Sequence, residues 1–480
     1  MVDWQAKLDR IYSLLAQGKT TAARQALDEL RGAGEVPAEE IWRVHELYGA
    51  VFHDFADAEG AAAAYSNAAQ SDRFLRSQRE HFSNYLFALH YLPGISPDEL
   101  YQQHVVYQGL YRDMDGLPTC SAYFHDRIRV GFLARDFRES SSARFYECLL
   151  TGLDLRSFEV YVYALENDED DFTRHLQASG LTYRCLAGQN LEQMAKTIRW
   201  DEIDVLMDLS GHSDGGMTLM VMAQRPAPIQ LCGIGWFDTT GLPAMDYFLT
   251  DGDMDPVAGQ AEKLFSEQLL RLPCGFCFQP SAAMRRLKRK PRAGSAVIFG
   301  SFQNFMKISR PVMDCWREIL NNLPDSRLVV QDTTRLFERR AVMQKRLENA
   351  GLPMERVEVR LGSDAYLEQY QQIDIMLDTF PYPGGAATAT ALYMGVPVIA
   401  MEGDHHSARL SSSILRAAGF SEWLAESTDG YIKLALQLAV DKEGLARTQL
   451  MLRTELEHSA LLDATAYVRN FEQAVRSCLR

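Results

Sequence analysis

The sequence predicts an α/β protein in which two tandem parallel-sheet domains follow an all-α region. Three observations carry that prediction. A strand–turn–helix–strand unit occupies Ile373–Met401, two successive series of alternating strand and helix patterns begin at Ile128 and Ala296, and only helical periodicity precedes residue 125.

The unit IDIMLDTFPYPGGAATATALYMGVPVIAM opens on an apolar run from Ile373 to Phe380. Pro381-Tyr382-Pro383 stops the strand and Gly384-Gly385 permits a sharp turn. Ala386–Met394 reads as a short helix closed by Gly395, and Val396–Ala400 starts a second strand. Such a turn aims the N–H groups of a helix N-terminus at whatever lies above the strand ends, which suits a phosphate or diphosphate; the same residues also serve a tight connection with no ligand. Neither G-x-G-x-x-G nor G-x-x-x-x-G-K-[ST] occurs.

In the first 125 residues Leu8, Leu14, Leu15, Ala22, Ala23, Leu27 and Leu30 recur at helical spacing around a break at Gly18. A second pair follows, with Leu47, Gly49, Phe52, Phe55, Ala62, Ala63, Tyr65 and Ala68. Small residues at helix contacts with a bulky one a turn later resemble about two tetratricopeptide repeats, whose stacked pairs form a groove for a peptide or a partner helix, or a plain helical cap. From Ile128, IRVGFLA, FEVYVYAL, LTYRCLA, DVLMDLS, PIQLCGIGW and YFLTD read as strands separated by polar helix-length segments. MRRLKRKPRAG then reads as a solvated linker. The second series comprises AVIFGSF, RLVVQDT, VEVRLG, IDIMLDTF and VPVIAM. The expected organisation is therefore a helical region over 1–125, a first Rossmann-like domain over 126–283, a basic linker over 284–295, a second Rossmann-like domain over 296–460 and a terminal helix over 461–480. Two such domains in tandem leave a cleft at their strand ends, with a nucleotide donor on the second and an acceptor approaching from the first.

Bulk properties narrow the function. A chain of 480 residues exceeds one core. The net charge of −15 argues against nucleic acid as the main partner. The N-terminus MVDWQAKLDRIYSLLAQG is not a signal peptide, and no window reaches the roughly 18 apolar residues of a membrane helix. Eight scattered cysteines fit buried free thiols in a reducing compartment, so a cytoplasmic location is expected. Cys274-x-x-Cys277 has no second pair, and Asp251-Gly-Asp253, which looks like a metal-holding D-x-D, reads as an acidic turn.

Several stretches resemble one family closely. SNYLFALHYLPGISPDEL, RIRVGFLARDFRES, DEIDVLMDLSGHSDGG, RPAPIQLCGIGWFDTTGLPAMDYFLTD, FGSFQNFMKIS, and IDIMLDTFPYPGGAATATALYMGVPV with GDHHSAR after it are similar to bacterial O-linked N-acetylglucosamine transferase (SPINDLY-type) glycosyltransferases. The resemblance implies a GT-B arrangement behind tetratricopeptide helices. It also implies an inverting, metal-independent transfer of a sugar, N-acetylglucosamine or another hexose, from a UDP-sugar to Ser or Thr of a protein, with no cofactor beyond the donor. Lys307 matches the family's diphosphate lysine and Asn304 a polar position beside it. Gly384, Gly385, Ala386, Ala387 and Thr388 match the phosphate turn, and Arg409 the arginine after the acidic loop. His212, in the turn after a strand, is placed to relay a proton, bind an acceptor or cap the turn. Flagellins and adhesins are acceptors of bacterial relatives, and the apolar helices of the first 125 residues suit pairing with a second copy or a partner chain.

Departures cluster at the expected cleft. Relatives carry a histidine where this chain has Ser140, hydroxyls where it has Ala386 and Ala387, an aspartate where it has Ala391, and GYPGTTG where it has GWFDTTG. Three readings follow. An active transferase would use Asp238, Asp201 or His212 as proton acceptor. A pseudo-glycosyltransferase would recruit a protein substrate for a partner enzyme, and a helical-repeat binding module would use its α/β domains as scaffold.

Overall fold

The computed structural model of the chain describes residues 4–112, 114, 116–118, 123–290, 292, 294 and 296–480. Parts of the expected helical region (1–3, 113, 115, 119–122) and of the basic linker (291, 293, 295) lie outside the described residues. Six helices come first: α1 (Trp4–Ala16), α2 (Thr20–Ala33), α3 (Ile41–Asp54), α4 (Ala58–Ser71), α5 (Leu75–Leu89) and α6 (Pro97–Gln108). Gly18 breaks α1 from α2 with φ +68°. Leu8, Ile11, Ala23, Leu27, Leu30, Val44, Leu47 and Val51 then close one core. Gly49 permits the close approach of α3 and α4, since a Cβ there would lie 2.4 Å from the Tyr65 ring.

The first sheet holds β1 (Ile128–Ala134), β2 (Phe158–Ala164), β3 (Thr182–Cys185), β4 (Val205–Asp208), β5 (Ile229–Cys232), β6 (Tyr247–Asp251) and β7 (Gln268–Leu272). They run parallel in the order β3-β2-β1-β4-β5-β6-β7. Helices α7 (Ala143–Gly152), α8 (Asp171–Ala178), α9 (Leu191–Trp200) and α10 (Met217–Met222) connect them. The second sheet holds β8 (Ile298–Phe302), β9 (Arg327–Gln331), β10 (Val357–Arg360), β11 (Ile375–Leu377), β12 (Val398–Met401) and β13 (Leu424–Ala425), parallel in the order β10-β9-β8-β11-β12-β13. The helices in this part of the chain are α11 (Ala282–Arg286), α12 (Arg310–Asn322), α13 (Phe337–Asn349), α14 (Tyr366–Gln369), α15 (Ala386–Tyr393), α16 (Leu410–Ala418), α17 (Thr428–Val440) and α18 (Lys442–Glu457), before the closing α19 (Ala464–Cys478). The two sheets behind a helical region are GT-B-type tandem Rossmann-like domains. Among the described residues no helix is long and apolar enough to cross a membrane.

Spatial clustering does not follow chain order. One unit gathers Met1–Ile95, Ala283–Gly403 and Ser421–Arg453; the other gathers Ser96–Ala282, Asp404–Phe420 and Thr454–Arg480. Helices α1–α5 thus belong with the second sheet. The closing α19 belongs with the first, where Tyr467, Val468, Phe471 and Val475 share a core with Phe132, Val160 and Met207.

Several segments differ from the sequence reading. β11 covers only Ile375–Leu377 of the expected run to Phe380, because the Asp378 carboxylate accepts the N–H groups of Thr379 and Gly384 and folds the chain away. β5 stops at Cys232, because Gly235 sits so close to Leu209 that a Cβ there would overlap its carbonyl oxygen. The short strands β7 and β13 carried no readable pattern. The basic linker is not simply solvated: the Arg289 guanidinium donates to the Tyr370 and Ile373 carbonyls at 2.7 and 2.8 Å, and Arg292 pairs with Asp374 at 2.6 Å.

Candidate functional site

In the second sheet the strand order reverses between β8 and β11, the place where open parallel sheets bind ligands at their carboxyl ends. Past β8 the chain forms a tight 3-10 turn, Phe305–Lys307; past β11 it runs through Asp378 to Gly384-Gly385 and α15. Lys307 Nζ donates to the Pro383 carbonyl at 2.6 Å and lies 3.7 Å from the centre of the Tyr382 ring. Burial pushes this ammonium down to about 8, with the nearby Asp378 carboxylate acting in the opposite direction. Tyr382 packs in turn on Tyr91 and His90, at ring separations of 5.3 and 6.4 Å.

Asp378 organises the turn. Its Oδ1 accepts from Thr379 N at 2.9 Å, Gly384 N at 2.7 Å and Gln303 Nε2 at 3.0 Å, and its Oδ2 accepts from Thr388 Oγ1 at 3.3 Å. A Cβ on Gly384 would lie 2.4 Å from Gln303 Nε2 and 2.9 Å from both Asp378 Oδ1 and Thr388 Oγ1. Only glycine fits there, and Gly385 adopts φ +56° as it enters α15. Ala386 and Ala387, half-buried, line the first turn of α15, the end of a helix whose N–H groups and dipole favour negative charge. The Thr388 hydroxyl, expected to meet a ligand, is turned to Asp378 and buried instead. Asn304 is likewise engaged: its Oδ1 accepts from Met306 N at 3.0 Å and from Arg339 Nη2 at 2.8 Å, so its amide nitrogen is the group available to a ligand.

The other predicted residues lie in the unit of the first sheet. At its own switch point, β4 leads into a loop held by Asp208, whose oxygens accept from Ser210 N at 2.9 Å and Gly211 N at 3.0 Å. The next residue, His212, is buried and its Nε2 donates to the Thr240 carbonyl at 2.9 Å. Burial, with His104 nearby, pushes this imidazole well below its usual range, so the ring is neutral and Nδ1 carries its lone pair. Its ring meets Tyr107, Trp236 and His104 at 4.7, 5.0 and 5.5 Å. Asp238, in the loop after Trp236, is buried, and desolvation raises its carboxyl. His212 and the Asp238 loop are therefore neighbours, joined by His104 of α6.

Asp201 does not join them. It follows α9, where Arg184 binds it at 2.5 Å and Tyr163 Oη donates to it at 2.8 Å. That position leads into the amino end of β4, the edge opposite His212, so the structure does not bring Asp201 together with His212 and Asp238. Ser140 Oγ accepts from Ala143 N at 3.1 Å at the start of α7. Arg409 ends the 3-10 turn His406–Arg409 in the first-sheet unit. In that turn buried His406 donates Nδ1 to Asp255 Oδ2 at 2.6 Å. Asp251, the first acid of the D-x-D, accepts N–H groups from Asp253, Met254 and Gly275 at 2.7–2.9 Å, which makes it the staple of a turn.

Sequence reasoning missed Asp378, Gln303, Tyr382, Arg339 and His104. Asp378 left a faint signal, an acid inside an apolar strand run. His104 and Arg339 left none, because a polar residue within a helix reads as a solvated one.

Two parallel sheets in one chain, one of them bearing a half-buried lysine and a glycine turn with a helix N-terminus at its switch point, define a GT-B-type fold. The family model for glycosyl transferase family 41 matches residues 116–292 and 284–471. The chain belongs to that family. It is 33% identical over 414 residues to a Petunia hybrida protein named probable UDP-N-acetylglucosamine–peptide N-acetylglucosaminyltransferase SPINDLY, covering 83% of this chain and 44% of the relative. The Hordeum vulgare protein of the same name is 34% identical over 410 residues, covering 82% and 43%. The chain thus spans less than half the length of these plant relatives. Among solved structures, a lysine-to-methionine mutant of the Thermobaculum terrenum O-GlcNAc transferase superposes with a TM-score of 0.83 at 26% identity, over the whole of both chains.

Proposed function

We propose that the chain is an inverting, metal-independent protein O-glycosyltransferase that moves N-acetylglucosamine or another hexose from a UDP-sugar to a Ser or Thr hydroxyl. The observation that carries this reading is the Lys307 ammonium, half-buried and 2.6 Å from the Pro383 carbonyl, beside the first turn of α15. A UDP diphosphate on that turn takes hydrogen bonds from backbone N–H groups, with Asn304 Nδ2 beside it, and draws Lys307 from the Pro383 carbonyl. When the bond from the anomeric carbon to the β-phosphate oxygen breaks, the electron pair stays on the diphosphate. Lys307 and the helix dipole stabilise that charge where a metal would otherwise serve. The acceptor hydroxyl attacks the opposite face and inverts the centre. Its proton passes to a base, for which His212, neutral in its buried setting, and Asp238, whose raised affinity for protons suits the task, are the candidates.

The relatives' printed names support a peptide acceptor, and surface or secreted proteins such as flagellins or adhesins are the acceptor class to try first. Purified protein incubated with labelled UDP-sugars and candidate acceptor proteins should give transfer that survives EDTA and is abolished by Lys307→Ala. Absence of transfer with every donor, together with no UDP binding, refutes the reading. One observation favours a second reading, a pseudo-glycosyltransferase that recruits substrate for a partner enzyme. Ser140, where relatives carry a histidine, spends its hydroxyl on the α7 backbone. Tight binding of a protein without transfer to it, in the presence of bound UDP-sugar, distinguishes that case.

A further inference from the structure

Helix α13 grips the lysine turn at both ends. Arg339 and Arg346 stand seven residues apart, two turns along one face of the helix. Arg339, only 1% exposed, donates to Asn304 Oδ1 at the front of the turn. Arg346 Nη2 donates at 2.8 Å to the carbonyl of Ile308, the residue that follows Lys307. The other arm of the same guanidinium, Nη1, donates at 2.7 Å to the carbonyl of Ala56. Ala56 is buried in the turn between α3 and α4 and adopts φ +57°. Ile308 is fully buried, so its carbonyl has no recourse to bulk water if Arg346 is lost.

We propose that Arg346 is a positioning residue for the donor site: by joining Ala56 to Ile308, it makes the α3–α4 turn of the helical region part of the support that holds Lys307 against the glycine turn. This rests on the donor reading above. The planar fork of an arginine reaches two carbonyls at once, whereas a lysine offers one tetrahedral nitrogen and releases one of them. A second path runs in the same direction, since Tyr382 beneath the lysine packs on Tyr91 just past α5. A lysine turn freed from this brace also gains water, which moves the ammonium back towards an ordinary lysine value. The same helix carries a natural control. Glu338 accepts from Thr21 N and Oγ1 at 2.6 and 2.9 Å, and so staples α13 to the helical region without touching the lysine turn.

The test is UDP binding by calorimetry on the full chain, from pH 7 to 9.5, for wild type, Arg346→Lys, Arg346→Met and Glu338→Gln, with a melting curve for each. Both Arg346 variants are expected to bind UDP at least about tenfold more weakly and to lose affinity at a higher pH than wild type. Glu338→Gln is expected to bind within about twofold of wild type, whatever its melting temperature. Arg346→Lys binding like wild type with the same pH midpoint overturns the proposal, as does an equal loss in Glu338→Gln, which would mean general loosening. If Arg346→Met does not fold, Arg346→Lys decides alone. Failure of wild type to bind UDP is a separate result, which removes the donor reading and this proposal with it.

Discussion

Raising the pH from 7 to 9.5 should strip the donor site of its cation before an ordinary lysine loses its proton. Burial holds Lys307 down to about 8 against a usual 10.5, with Asp378 resisting that shift. Below about 8 a diphosphate meets a ready ammonium. Above it, binding must first recover a proton, and each pH unit weakens UDP about tenfold, or about 1.4 kcal/mol, until the higher value of the liganded lysine is reached. Between pH 7 and 9.5 the loss is thus about thirtyfold. Folding responds with the opposite sign. Between about 8 and 10.5 the native chain binds fewer protons at this site than the unfolded chain, so the contribution of Lys307 to stability rises with pH in that window and is at its lowest below it. Titration calorimetry with UDP in buffers of different ionisation heat should report about half a proton taken up per UDP at pH 8 and nearly one at pH 9. Lys307→Met should bind weakly with no pH slope. A wild-type affinity that stays constant from pH 7 to 9.5, or a slope that persists in Lys307→Met, refutes the placement of this lysine opposite the phosphate turn.

Gly384→Ala should abolish UDP binding while costing about 1–3 kcal/mol of stability by denaturant titration, because its methyl must displace the Gln303–Asp378–Thr388 cluster 2.4–2.9 Å away. Asp255→Asn should destabilise the fold by about 3–5 kcal/mol by leaving His406 buried without its counter-charge. That difference should be largest between about pH 4 and 6.5. Although burial alone would lower His406, Asp255 raises it, so its contribution is complete below 6.5 and lost as pH rises through the folded value. Asp255 is depressed by His406 against the effect of burial, so its share is present above 3.8 and lost as pH falls. Asp201→Asn should leave the proposed sugar transfer unchanged and cost at most about 1 kcal/mol, since its partner Arg184 is 42% exposed; a large fall in kcat would return Asp201 to the site.

How far the site was legible depends on the range of the contacts that make it. The glycine turn was readable because proline, glycine and apolar runs act on their immediate neighbours. Lys307 was found through its match to a family stretch, not through any local pattern, and the structure sets it against Pro383, 76 residues on. Thr388 and Asn304 were singled out as ligand groups, yet their oxygens are engaged within the protein, by Asp378 and by Arg339. Asp201 looked available because an acid before a strand is usually solvated; nothing local announces that Arg184 of β3 covers it. His104 sits in a helix whose pattern gave no hint that its ring would meet those of His212 and Trp236.

By itself the sequence determined the order of helical and α/β regions, the sharp turn after β11 and the family to which the chain is related. Those follow from periodicity, backbone stereochemistry and short motifs, all of which act over a few residues. Only the tertiary structure decided that Asp378 is the hub of the glycine turn, that Asp201 and His212 lie at opposite ends of β4, and that one guanidinium at 346 reaches both residue 56 and residue 308. Such choices depend on which distant groups are desolvated together, and burial, unlike periodicity, is a property of the packed chain.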